Sequence, residues 1–355
     1  MKCSWVSCFK AVAGALLLAV ATTAMGFKDP VREPVVMSRL AVSSPLLSAV
    51  SVGERVVGVG VRGHVVLSTD GGNNWTQAAS PVSSDLLAVS FPSSSKGWAV
   101  GHGGVVIHSA DGGATWQRQL AGKEASAIAI GYYEARLKAG DADAAKFLDR
   151  ENNLAAGGGT QPFMGVFFEN ELSGYIVGTF NRIFHTADGG KTWEPMMHRV
   201  DNPDEFHFYS IRSGGGDIWL TGEQGRVWIL DKASGHFIAR PTGYTGTLFG
   251  SVQAGDGSLI AYGMRGSVYR SDDQGKTWAR VDLGNPAGIN ASARLANGDV
   301  VLASLAGTVT ISHDGGRTFQ PVKTSHPMSY FGVTALGDNR LVFVGAEGVR
   351  IEPVN

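Results

Sequence analysis

Five carboxylates recur in one eight-residue phrase. It reads STDGGNNW at 68–75, SADGGATW at 109–116, TADGGKTW at 186–193, SDDQGKTW at 271–278 and SHDGGRTF at 312–319. Asp70, Asp111, Asp188, Asp272 and Asp314 are of a type that can ligate a metal or act as acids. Glycoside hydrolysis needs two such groups facing each other across a groove, and copies spread along the chain do not build one such pair. A second chemistry fits the pattern S/T-x-D-x-G-x-T-W better. The Asp accepts bonds from nearby backbone amides and closes a turn. The Gly permits a left-handed backbone. The final aromatic (Trp75, Trp116, Trp193, Trp278, Phe319) is an apolar anchor for the strand that follows. The phrase is therefore read as a structural part.

Other candidate groups are sparse. Asp201, Asp204 and Glu205 form the densest acidic cluster, within HRVDNPDEFHF, and read as a solvated loop between repeats. His102, His108, His185, His198 and His207 are scattered, without HExxH or a similar metal spacing. No P-loop or nucleophile elbow occurs. No catalytic, cofactor-binding or metal-binding constellation is expected.

Composition narrows the function classes. The chain has 355 residues, a formal net charge of −1 and 49 glycines. Near-neutral charge does not suggest nucleic acid as a partner. Lys2 and Lys10 bracket a short basic start, and AVAGALLLAVATTAMG (11–26) is apolar and small, so residues 1–26 read as a secretory signal peptide. A membrane anchor is the rival reading, and the run is short for a span of about 20 residues. Both cysteines, Cys3 and Cys8, lie in this segment. The mature chain would lack disulfides and thiolate chemistry. The expected location is the periplasm, or the thylakoid lumen in a phototroph.

The elements that carry the phrase repeat with it. Trp75 and Trp116 are 41 residues apart, as are Trp278 and Phe319. Phe237, in the decayed copy LDKASGHF (230–237), stands 41 before Trp278. Four-stranded propeller blades show periods of this length. Within each period, short β-rich runs alternate with Gly, Ser and Asp clusters. A Gly-x-x-Gly turn joins the second run to the third: GVRG (60–63), GHGG (101–104), GEQG (222–225), GMRG (263–266) and GAEG (345–348), with SLAG and GTFNR as variants. Counting these turns predicts an all-β fold, a seven-bladed β-propeller over 27–355, with six or eight blades or an open β-solenoid as alternatives. The last unit stops after its third strand, so REPVVMSRLA (32–41) is expected to close the ring as that blade's outer strand. The segment 122–160 breaks the β pattern. It is rich in Ala, Leu, Glu, Lys and Arg and reads as one or two helices inserted between blades 2 and 3.

The phrase is the Asp-box (BNR repeat) of sialidases, some glucanases, sortilin-type receptors and photosystem II assembly factors. The order GxxG-x-[VI]-x-x-S-x-D-G-G-x-x-W, repeated around the chain behind an export signal, most resembles the Ycf48-like group of assembly factors. That resemblance implies a non-enzymatic exported scaffold that binds a membrane protein complex, either photosystem-like or an envelope transporter, and acts as a monomer. The alternative is an exported Asp-box carbohydrate-binding protein or glycoside hydrolase. Sialidases carry an early Arg-Ile-Pro segment; here the nearest string is Arg182-Ile183-Phe184, in the third unit. The group is expected to carry an arginine patch, and Arg62, His102, Arg182, Arg226 and Arg265 occupy or flank the Gly-x-x-Gly turns as a candidate partner-binding rim, with Glu223 and Glu347 opposing. Tyr132, Tyr133 and Arg136 in the insertion form a second candidate binding element.

Overall fold

The computed structural model describes residues 28–354, so the signal-peptide segment lies outside the described residues. Seven antiparallel sheets follow one another in chain order; six have four strands and the last has three. Their first strands are Leu46–Val52, Leu86–Ser90, Phe163–Phe168, Phe208–Gly214, Leu248–Gln253, Ile289–Arg294 and Tyr330–Leu336. Each packs beside the first strand of the next sheet, and the seventh packs beside the first, so the ring closes around a central channel. The 41-residue period is thus one blade of the predicted seven-bladed propeller.

The Gly-x-x-Gly turn has two separate physical causes. In every blade the first strand carries a bulge one residue from the point where it meets the second strand's end: Leu46 pairs with Gly60 but Ser48 with Val59, and the same shift recurs six more times. The backbone is pulled so close there that a Cβ on Gly60 would sit 2.3 Å from the Pro45 carbonyl oxygen. The second glycine is needed for conformation as well: Gly63 has φ +74°, and its Cβ would meet the Val82 carbonyl oxygen at 2.0 Å. The bulged residues are Leu47, Leu87, Met164, Tyr209, Phe249, Asn290 and Phe331, and all of them line the channel.

The Asp-box joins third to fourth strands. Asp111 accepts the Thr115 N–H at 2.9 Å, the Thr115 hydroxyl at 2.6 Å and the Ser109 hydroxyl at 2.8 Å, while Ser109 Oγ accepts the Gly113 N–H at 2.8 Å. Asp70, Asp188 and Asp314 repeat the arrangement. In the fourth copy the residue that does this is Asp273, through Ser271 and Thr277, and not Asp272. The spacing explains the correction. The bonding carboxylate must stand two residues after the Ser or Thr, and Asp272 stands one after, where its side chain turns outward to pair with Arg270 and Arg317. Amide and hydroxyl donors hold the Asp70 and Asp273 carboxyls down to about 2, led by the backbone N–H of Asn74 and of Thr277 respectively. Trp116 and Trp193 are buried, whereas Trp75, Trp278 and Phe319 are half-buried.

Residues 32–41 do not add the expected fourth strand to the last blade. Gly348–Pro353 is the outermost strand there. The backbone of the N-terminal segment is engaged by blade 1 instead. The Val35 N–H donates to Ser80 O at 3.0 Å, the Ser38 N–H to Gln77 Oε1 at 2.6 Å, and Gln77 Nε2 donates to Val36 O at 3.1 Å. One 3₁₀ turn, Ala41–Ser43, then buries Ala41 completely. Arg350 donates to the Val349 carbonyl at 2.8 Å, engaging a backbone acceptor of the outermost strand with a charged side chain. Ring closure rests on the inner strands, on the Ser51–Thr334 hydroxyl pair at 3.0 Å, and on Arg340, which reaches Gly71 O at 3.0 Å and Glu54.

The insertion is a helical hairpin, α1 (Gly122–Lys138) and α2 (Ala144–Ala156), between blades 2 and 3. Glu124 starts α1 by accepting the Ala121 N–H at 2.7 Å while holding Arg118 at 2.9 Å.

Candidate docking face

In an up-and-down blade, the turn from second to third strand and the link to the next blade emerge on one face. The Asp-boxes emerge on the other. The Gly-x-x-Gly turns and the helical insertion therefore share a face, and α1 touches the His102–Gly104 turn.

The structure separates the candidate rim residues into three kinds. Arg62 and Arg265 are exposed, their guanidinium groups have no acidic partner among the described residues, and they hold left-handed backbone at φ +57° and +58°; the Arg62 N–H donates to Asp85 Oδ1 at 2.7 Å. His102, on the equivalent turn of blade 2, is exposed as well. Arg226 is half-buried, lies 3.7 Å from Asp204 and covers the Phe206 ring at 5.3 Å. Glu223 holds the His207 N–H, and Glu347 pairs with Arg350 at 3.1 Å. Arg182 is not on the rim. It is 1% exposed, paired at 3.2 Å with the equally buried Glu151 of α2, and close to the Phe163 and Phe184 rings. The insertion folds down over the blade 3 turn and takes that arginine as its anchor. The exposed side chains of Arg62, His102 and Arg265 thus stand on the second-to-third-strand turns of blades 1, 2 and 5.

The insertion's candidate residues are also turned inward. Tyr133 is fully buried, stacked on Phe147 at 5.2 Å, with its hydroxyl 3.2 Å from His198 Nδ1. A group with no accessible surface cannot recognise a partner. Tyr132 is half-buried and donates to Glu194 at 3.1 Å; Arg136 bonds Asp141 at 2.8 Å, Tyr132 and His198. These side chains fasten the hairpin to blade 3. Of the acidic cluster, Asp204 pairs with Arg226 and Glu205 with Arg150.

His198 makes this fastening pH-dependent. Burial, then the Arg136 and Arg199 charges, depress its pKa to about 4. An unfolded His titrates near 6.5, so the unfolded chain takes up the proton first. Stability from the neutral ring is complete above about pH 6.5 and is lost as pH falls towards 4. His198→Gln is expected to flatten that part of the curve of melting temperature against pH. Parallel curves for the two proteins would remove His198 from the acid response.

Sequence reasoning missed the collar of bulged side chains. They are six apolar or aromatic residues and Asn290, converging on the channel near the docking face. The signal was legible as a recurring large–x–small triplet at each first strand: LLS, LLA, FMG, FYS, LFG, INA and YFG, beginning at 46, 86, 163, 208, 248, 289 and 330. No carboxylate lines the channel among the described residues; its single charged side chain is Arg212.

Comparison with known proteins agrees with the fold. A solved structure described as YCF48 bound to D1 peptide superposes with a TM-score of 0.65 at 18% identity, over 91% of this chain and 96% of that one. YCF48 from Cyanidioschyzon merolae gives 0.63 at 17%, over 90% and 98%. A streptogramin B lyase gives 0.66 at 15%, over 89% and 96%, a likeness of fold alone. No curated protein matches the sequence. The family model described as photosynthesis system II assembly factor YCF48 matches residues 49–140 and 159–304, and the chain therefore belongs to the YCF48 family of photosystem II assembly factors.

Proposed function

We propose that this protein is a non-catalytic, exported assembly factor that docks on a membrane protein complex through the face bearing the Gly-x-x-Gly turns. Membership of the YCF48 family and the D1 peptide held by a similar structure support a membrane-protein partner. The observation that carries the choice of face is the pair Arg62 and Arg265. Each places an exposed guanidinium, without an acidic partner among the described residues, on left-handed backbone, where blade 2 has Gly103 at φ +72°. Such backbone costs on the order of 1 kcal/mol for a residue with a side chain; in blade 1 the Asp85 carboxylate, which accepts the Arg62 N–H at 2.7 Å, steadies the turn. Guanidinium forks suit the carboxylates and phosphates that a membrane complex and its lipids present. The signal-like character of residues 1–26 supports export.

The test is the double variant Arg62→Glu/Arg265→Glu. Its stability should change by only about 0.5 kcal/mol, as for exposed sites. Capture of integral membrane subunits from solubilised membranes, identified by mass spectrometry, should fall sharply. Residual binding should also respond less to salt. Equal recovery of the same subunits by both proteins would overturn this choice of face.

A further inference from the structure

Residues 36–40, Val-Met-Ser-Arg-Leu, form a loop beside the fourth strand of blade 1, Thr76–Ala78, and all five are exposed. Val36, Met37 and Leu40 are 77%, 58% and 68% exposed. Eight large apolar side chains are exposed among the described residues, and these three fall within five residues, whereas the other five are spread singly along the chain. Scattered apolar residues on a surface are ordinary, but a cluster marks a contact. The loop is not a loose tail. Buried Val35 and Ala41 pin its two ends. The Gln77 amide clamps its middle, accepting the Ser38 N–H at 2.6 Å and donating to Val36 O at 3.1 Å. Ser38 closes the turn, its hydroxyl accepting the Leu40 N–H at 3.1 Å and its carbonyl the Ala41 N–H at 3.2 Å. The backbone is therefore satisfied while the apolar side chains are left in water. The segment also reaches the docking face: Pro30 O accepts the Ser83 N–H at 2.9 Å and Pro45 O the Val61 N–H at 3.2 Å, on either side of the turn that carries Arg62.

We infer that this loop is a membrane contact, in which Val36, Met37 and Leu40 enter the interface of a bilayer containing anionic lipid and Arg39 meets a lipid phosphate. Two observations choose the bilayer as occupant. The first is where the chain comes from. The apolar run 11–26 ends ten residues before Val36, so the segment that meets the membrane during export leads directly into the loop. The second is charge. Arg39 has no ion pair or hydrogen bond, and no acidic residue occurs between Glu33 and Glu54. Asp29 and Glu33 are held by Arg32 at 3.9 Å and Lys28 at 3.1 Å. An unpaired guanidinium inside an apolar cluster suits the boundary between headgroups and acyl chains, where the cation meets phosphate and its neighbours leave water. A loop already fixed by Gln77 and Ser38 loses little freedom on inserting.

The inference shares only the exported location with the proposed function, and vesicles free of protein test it apart from any docked subunit. The chain from Phe27 onward contains every described residue and no cysteine. It should float with vesicles of phosphatidylethanolamine and phosphatidylglycerol. Val36→Ser/Met37→Ser/Leu40→Ser should weaken that binding about a hundredfold or more, with an unchanged melting temperature because all three residues are exposed. Arg39→Gln should cost about fivefold on anionic vesicles and nothing on vesicles of phosphatidylcholine alone. An environment-sensitive dye on Met37→Cys should shift to the blue with anionic vesicles and be quenched by a lipid-borne quencher. The same dye on Lys191→Cys, an exposed residue of the blade 3 Asp-box on the opposite face, should do neither. A triple variant that still captures membrane subunits but no longer floats would support a lipid contact separate from the docking arginines. Wild type that fails to float, a triple variant that floats like wild type, or a Met37→Cys dye that stays in water would each overturn the inference. So would a triple variant that loses only the capture of membrane subunits, which would give the loop to a protein partner.

Discussion

Arg182→Ala is expected to destabilise the protein by about 3–5 kcal/mol, the usual cost of leaving half of a buried ion pair behind. Arg182 and Glu151 are each 1% exposed and meet through two contacts of 3.2 Å, with Ser126 as a further partner. Burial pushes the Glu151 carboxyl up, against the pull of Arg182, and burial likewise lowers the pKa of Arg182. Each charge is tolerable inside only because of the other. Without the guanidinium, Glu151 must take up a proton or let α2 lift from blade 3. The paired replacement Arg182→Met/Glu151→Leu should be close to neutral, because an apolar pair of similar volume carries no desolvation cost. It should also leave the insertion docked, since Tyr133 and Phe147 still pack edge-on against His198. Denaturant unfolding of the single and double variants, with limited proteolysis of 139–160, measures both effects. A single variant that loses less than about 1 kcal/mol, with an insertion as protease-resistant as wild type, would show that the pair does not latch the hairpin.

Arg182 also shows where a sequence stops being informative. Its turn has the same strand context as those of Arg62 and Arg265, so local spacing places all three on one rim. What distinguishes it is a helix 31 residues earlier in the chain, and no local pattern reports that contact. The blades were readable because each is built from local hairpins: the 41-residue period, the Asp-box and the Gly-x-x-Gly turn all act within one repeat. The helical insertion was readable for the same reason, as a break in period and propensity. Ring closure was not, because it depends on which distant backbone satisfies residues 32–41. Pro34 and the blade 1 acceptors Ser80 and Gln77 decide that against a strand. Asp272 was misplaced by one residue where two aspartates stand together, a choice that the position of Ser271 settles.

The second large effect is expected at the Asp-box, and the structure ranks its members. Trp116→Ala should cost about 3–5 kcal/mol, as for large aromatic residues removed from a core. Trp116 is 6% exposed, lies edge-on to Phe91 at 5.9 Å, and shares one apolar cluster with Val57 of blade 1 and Ile107 of blade 2. Its indole N–H is also committed, to Gly113 O at 3.0 Å. Ser109→Ala should come next, at about 1–3 kcal/mol, because the 1% exposed hydroxyl leaves the buried Gly113 N–H without an acceptor. Asp111→Ala should cost least, about 1 kcal/mol, because Asp111 and Thr115 are exposed and water can replace the lost bonds. The ranking inverts what a catalytic reading of the phrase requires, in which the carboxylate matters most and the serine beneath it least. Chemical denaturation of the three variants reads it directly. An Asp111→Ala protein that unfolds like wild type but loses a discrete activity would return the phrase to chemistry. The predicted order assigns it to holding the third and fourth strands of each blade together.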